Sequence, residues 1–126
     1  MFQIVNYGIG GHYNYHDDFL YKDATRHQFE HTPDYLNSGD RIATFMFYLS
    51  DVIRGGATAF PKLGVSVFPE RGAAAFWYNL RRNGRGDVRA LHGGCPVAYG
   101  AKWIANKWVR ERNQFLRRPC TLDPSQ

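Results

Sequence analysis

The sequence predicts a mainly β domain of sandwich or jelly-roll type. Three observations carry the prediction: short apolar runs rich in aromatic and β-branched residues recur along the chain, Gly- and Asn-rich turns separate them, and little of the chain has helical character.

Taken in order, FQIVNY at 2–7 has strand character, and Gly8, Gly10 and Gly11 then break it into a loop carrying residues 12–18. Residues 19–30 predict a short helix, whereas 31–40 is polar, contains Pro33 and Gly39, and reads as a loop. RIATFMFYLS at 41–50 is apolar on both faces and predicts a central strand. Its polar interior residue, Thr44, suits a strand by its β-branch alone. A turn at Gly55-Gly56, strands at 65–68 and 73–80 and a turn at 83–86 follow. In 102–110, period two places Lys102, Ile104, Asn106, Trp108 and Arg110 on one face and Trp103, Ala105, Lys107 and Val109 on the other.

A chain of 126 residues that is 44% apolar and 16% aromatic is one domain by length, with ample material for a core. The net charge of +5 is uneven: ten of the sixteen Lys and Arg lie between positions 81 and 118, opposed there by Asp87 and Glu111 alone. With no nucleic-acid-binding motif beside it, that excess reads as a solvated surface. No apolar run approaches the ~20 residues that span a bilayer. No charged-then-apolar leader opens the chain, which reads as cytosolic or as a fragment of something longer.

The chemistry begins at His16 and Asp18. Two apart on an extended segment, they face the same way, so an imidazole and a carboxylate can reach one metal ion. A second histidine would complete the two-His-one-carboxylate triad that leaves positions open on non-haem Fe(II), and His92 is the candidate. HxD alone recurs by chance. It is more specific with a lone histidine 74 residues beyond Asp18 and an inward-pointing lysine ten residues after that. A lysine is rarely buried without a charge partner. Either an anionic ligand serves Lys102, or Lys102 sits at the strand's end and reaches water. His27 and His31 flank a predicted loop and His12 lies in a Gly-rich turn, so neither suggests a helical chelate. Cys95 and Cys120 lack CxxC spacing; a disulfide and two buried thiols both remain open.

Seven motifs, spread over nearly the whole chain, resemble one family. They are the HxD of His16 and Asp18, RIATFMFYLSDV at 41–52, GGATAFP at 55–61, FWYNL at 76–80, HGGCPV at 92–97, KWIANKW at 102–108 and RRPCTL at 117–122. The chain is similar to the catalytic region of the collagen prolyl 4-hydroxylase α subunits, within the Fe(II)/2-oxoglutarate dioxygenases.

The resemblance implies a double-stranded β-helix (jelly roll) with minor helix. It implies Fe(II) held by His16, Asp18 and His92, and 2-oxoglutarate anchored by Lys102 with Tyr7 and Thr44. Tyr13 and Trp108 would line a groove for procollagen-like Gly-X-Pro peptides. The reaction would be 4-hydroxylation of proline coupled to decarboxylation of 2-oxoglutarate to succinate, with L-ascorbate as reductant. It further implies a Cys95–Cys120 disulfide, the endoplasmic reticulum lumen, and a hetero-tetramer with protein disulfide isomerase. Residues 1–126 would then be the catalytic domain, a C-terminal fragment of a longer subunit. Two departures stand out: Arg110 where the family usually carries His near the 2-oxoglutarate end, and Asp17 where an aromatic is commoner, expected to point away from the iron. Arg110 and the missing domains leave open a non-catalytic peptide-binding subunit on this fold, and a related dioxygenase with a non-collagen substrate, which reduced Cys95 and Cys120 would favour, is a further alternative.

Overall fold

The apolar run at 41–50 becomes the strand on which the larger sheet is built. The computed structural model describes residues 1–20, 33–123 and 125–126. In chain order it holds β1 (Gln3–Tyr7), β2 (Tyr13–His16), α1 (Pro33–Ser38), β3 (Arg41–Tyr48), β4 (Arg54–Gly55), β5 (Thr58–Phe60), β6 (Val65–Val67), β7 (Ala74–Tyr78), a 3₁₀ turn (Val88–Ala90), β8 (His92–Gly94), β9 (Val97–Tyr99) and β10 (Lys102–Arg110). One four-stranded sheet runs β1-β10-β3-β7, a second β2-β8-β5-β6, and β4 pairs with β9. Every pairing is antiparallel. The jelly-roll expectation holds.

The sheets meet through their apolar faces. Phe60 of β5 stands edge-on to Trp77 of β7 at 5.2 Å, and the Tyr48 hydroxyl crosses to Thr58. Met46, Tyr48, Ala75 and Ile104 form one buried cluster, with Val5 and Val67 packed against it. Phe19, Ile42, Ala43 and Leu80 form another. Burying a side chain the size of Met46 or Ile104 contributes roughly 1.5–3 kcal/mol.

Two segments read as loop form regular elements, and the first, within 12–18, is β2 (Tyr13–His16). Residues 33–38, read as loop, form α1. Pro33 opens it, where a missing N–H costs nothing, and Gly39 follows it at φ 74° with its N–H bonded to the Tyr35 carbonyl at 2.8 Å. The two residues taken as breakers are the helix's delimiters. The expected helix over 19–30 lies almost wholly outside the described residues, as do His27 and His31. Gly55 is held to glycine by both conformation and space: its φ is 79°, and an added Cβ would stand 2.3 Å from the Pro96 carbonyl oxygen.

Candidate metal and 2-oxoglutarate site

Alternation on the larger sheet builds one wall of a cavity of about 430 Å³. Register pairs Tyr7 with Lys102, Val5 with Ile104 and Gln3 with Asn106 across β1 and β10. It also pairs Trp108 with Thr44 and Thr44 with Trp77. The period-two face expected of β10 thus lines the cavity from Lys102 to Trp108. The opposite wall comes from the second sheet, where β2 and β8 place His16 and His92 directly opposite each other.

His16, Asp18 and His92 converge. Their ligating atoms all lie within 4.8 Å of one another. His16 Nε2 stands 3.7 Å from Asp18 Oδ1, and His92 Nε2 3.8 Å from Oδ2. Each imidazole is fixed from behind, Nδ1 bonding the carbonyl two residues earlier: Asn14 at 2.8 Å for His16, Ala90 at 2.9 Å for His92. A carbonyl only accepts, so Nδ1 carries the proton and the Nε2 lone pair faces the centre. Burial holds His92 below the ordinary imidazole value despite the opposing pull of Asp18, which favours the neutral, metal-ready form. Asp18, itself buried, accepts a 2.5 Å hydrogen bond from Thr44 Oγ1 on Oδ2. Two imidazoles and a carboxylate are the donor set of a facial triad for Fe(II), and three protein donors leave further coordination positions to other ligands.

Lys102 marks the other end. It is 2% exposed, so it does not reach water. Its ammonium donates to Thr58 Oγ1 at 3.3 Å and stands 5.6 and 5.7 Å from the ring centroids of Tyr7 and Tyr48. No carboxylate among the described residues pairs with it. Burial lowers its pKa to about 8, offset in part by the Cys95 sulfur. A buried ammonium in those surroundings fits an incoming carboxylate. Thr58 accepts from both Lys102 and Tyr48, leaving its own proton for such a ligand. Burial raises the Tyr7 phenol, keeping it a neutral donor beside the lysine.

A model of the 2OG-Fe(II) oxygenase superfamily matches residues 2–110. The chain belongs to this superfamily. Among curated relatives, the oxygenase is 52% identical over 123 residues to "Prolyl 4-hydroxylase subunit alpha-1" of Bos taurus, a match covering 95% of this chain and 22% of that protein. It is 51% identical over 121 residues to "Prolyl 4-hydroxylase subunit alpha-2" of Caenorhabditis elegans, covering 96% and 22%. The oxygenase thus spans about a fifth of the length of these relatives. Among solved structures, the 2OG complex of the viral collagen prolyl hydroxylase of Paramecium Bursaria Chlorella virus-1 superposes with TM-score 0.72 at 31% identity, covering 86% of this chain and 57% of that one.

Several site residues of the oxygenase stand differently from expectation. Thr44, expected to help hold 2-oxoglutarate, is directed at Asp18 instead. Asp17, expected to point away, lines the same cavity. Arg110 does not line the cavity, and its guanidinium donates to the Gly39 carbonyl at 3.1 Å. Eight residues of strand put Arg110 roughly 25 Å from Lys102 along β10. Cys95 and Cys120 stand as separate thiols, which leaves the expected disulfide unconfirmed. Their anchorages differ: the Cys95 N–H bonds Ala57, whereas Thr121, beside Cys120, bonds Arg82. Tyr13 is exposed at the cavity edge with its ring 4.4 Å from that of His16. Trp108 lines the cavity, one face covered by the Arg41 guanidinium at 3.8 Å.

Residues that pattern reading missed are Thr58, Asn79 and Arg41. Thr58 lay inside the quoted GGATAFP and Asn79 inside FWYNL, but a lone polar residue in an apolar run carries no sign of what it will face. Arg41 stood at a strand's first position, where a charge is unremarkable. Among the described residues no helix is long and apolar enough to cross a membrane.

Proposed function

We propose that this chain is the catalytic part of a procollagen-proline 4-dioxygenase. The observation that carries the reading is the joining of a metal triad and a buried, carboxylate-seeking lysine in one cavity. His16, Asp18 and His92 would hold Fe(II). Lys102, with the Thr58 and Tyr7 hydroxyls, would bind the distal carboxylate of 2-oxoglutarate. When bound, iron and 2-oxoglutarate supply the oxidising chemistry: one oxygen atom of O₂ goes to succinate with release of CO₂, the other into a C–H bond. The chain's part is to orient these groups, exclude water around Lys102 and seat the peptide. Tyr13 and Trp108 offer aromatic surface at the cavity for a proline ring.

The substrate assignment, peptidyl proline in Gly-X-Pro sequences giving 4-hydroxyproline, is supported by the 52% identity to prolyl 4-hydroxylase α subunits and by the viral collagen prolyl hydroxylase fold. L-ascorbate as reductant, protein disulfide isomerase as the companion in a hetero-tetramer and the endoplasmic reticulum lumen as location belong to the same reading. Arg110, the residue that most favoured a non-catalytic subunit, donates to the Gly39 carbonyl and is not among the residues lining the cavity. The test is mass spectrometry of a (Pro-Pro-Gly) peptide incubated with the assembled protein, Fe(II), ascorbate and 2-oxoglutarate. Gain of one oxygen at the Y-position proline is expected; an unmodified peptide with metal bound would overturn the assignment.

A further inference from the structure

We propose that Asn79 and Thr44 form a directed hydrogen-bond relay that sets the Asp18 carboxylate, so that Asn79 is a positioning residue for the metal. This rests on the reading of His16, Asp18 and His92 as metal ligands.

Asn79 Nδ2 donates to Thr44 Oγ1 at 2.9 Å, and Thr44 Oγ1 donates to Asp18 Oδ2. Asn79 and Thr44 are each 1% exposed, so water does not compete for these bonds. The relay has a direction. Because the amide gives its proton to the threonine oxygen, the threonine's single proton is left for the carboxylate. An acceptor at position 79 would draw that proton away, leaving Oδ2 facing an oxygen with nothing to donate. Asn79 Oδ1 is buried without a hydrogen-bond partner among the described residues, so no second bond of that atom there explains the amide's placement. Oδ2 is engaged by Thr44 and stands 3.8 Å from His92 Nε2, whereas Oδ1, 3.7 Å from His16 Nε2, accepts no hydrogen bond among the described residues. The relay therefore occupies one lone pair of Oδ2 and leaves Oδ1 the freer oxygen with which Asp18 would hold a metal.

The sequence of register pairs explains how distant residues come together. Thr44 lies opposite Trp77, and Asn79 follows two residues later on the same face of the strand's continuation.

The test is titration of the purified full chain with Co(II), following binding by calorimetry and geometry by the d–d absorption of the bound ion. Thr44→Val and Asn79→Asp are each expected to weaken Co(II) binding by about 10- to 100-fold, the range for a ligand's supporting partner, and to alter the d–d bands. Thr44→Ser, which keeps the hydroxyl, should stay within about threefold of the unsubstituted protein with its spectrum unchanged. If Thr44→Val and Asn79→Asp fold, by circular dichroism, and bind Co(II) with unchanged affinity and spectrum, the relay is wrong. If they do not fold, the unsubstituted protein decides: the Asn79 side-chain amide protons should exchange slowly and show a cross-peak to the Thr44 hydroxyl, and rapidly exchanging protons would refute the relay. Failure of the unsubstituted protein to bind Co(II) would instead strike at the metal reading itself.

Discussion

At one end of the cavity each metal-facing side chain is held from behind: two imidazoles by backbone carbonyls and a carboxylate by the threonine relay. At the other, Lys102 is buried with one long hydrogen bond and two aromatic rings for company among the described residues. The metal end is organised before anything binds. The lysine end carries a charge whose desolvation is offset only when an anion arrives. A site can thus be rigid where geometry governs the chemistry and electrostatically unsatisfied where affinity is needed, and substitutions should separate the two.

The largest effect is expected at the metal end. Asp18→Ala or His92→Ala should weaken Fe(II) or Co(II) binding by more than about 100-fold, since even supporting partners are worth 10- to 100-fold. Calorimetry measures this, and turnover should vanish with it. Retained metal affinity would mean that the three residues are a structural cluster.

Lys102→Met should raise the KM for 2-oxoglutarate by roughly 30-fold or more, the range for truncating one partner of a buried charge pair, with metal affinity unchanged. The same substitution should stabilise the co-substrate-free protein, because it removes an uncompensated buried charge. The expected rise in thermal midpoint sharpens the contrast: no substitution in the triad should combine lost binding with gained stability in this way.

The pH dependence of stability follows from the same lysine. It titrates at about 8 in the folded chain against 10.5 for the free side chain. Between those values the unfolded chain binds the extra proton, so stability rises with pH there, is lowest below about 8, and gains at most about 3 kcal/mol by 10.5. Tyr7 and Tyr48, raised by burial, act with opposite sign above about pH 10, where they ionise first in the unfolded chain. The quantity to measure is therefore the difference in denaturant midpoint between the unsubstituted protein and Lys102→Met, which should shrink as pH rises from 8 to 10.

The smallest effect is expected for Tyr7→Phe. It keeps the ring beside Lys102 and removes one hydroxyl, worth about 0.5–1.5 kcal/mol, so the KM for 2-oxoglutarate should rise by no more than about tenfold.

Much of this site was legible in the sequence because strands obey period two. Alternation along 102–108 put Lys102 and Trp108 on one wall, and the i, i+2 spacing of His16 and Asp18 turned both toward it. That His92 was the partner followed from the HxD pattern and the lone downstream histidine. What was not legible depends on local irregularity or on packing. The contact that holds the Arg110 guanidinium on the Gly39 carbonyl leaves no compositional mark, and Pro33 and Gly39 announce a loop as readily as the ends of a helix. Thr44 sat on the expected face. Whether its hydroxyl served the co-substrate or Asp18 turned on a neighbour 26 residues away in sequence.

The most direct measurement is calorimetric titration of 2-oxoglutarate at pH 7 into the Co(II)-loaded protein and into Co(II)-loaded Lys102→Met. The two-ended cavity predicts metal-dependent, saturable binding that Lys102→Met weakens by roughly 30-fold or more while still holding its metal. Equal binding by both proteins, or binding indifferent to the metal, would contradict it.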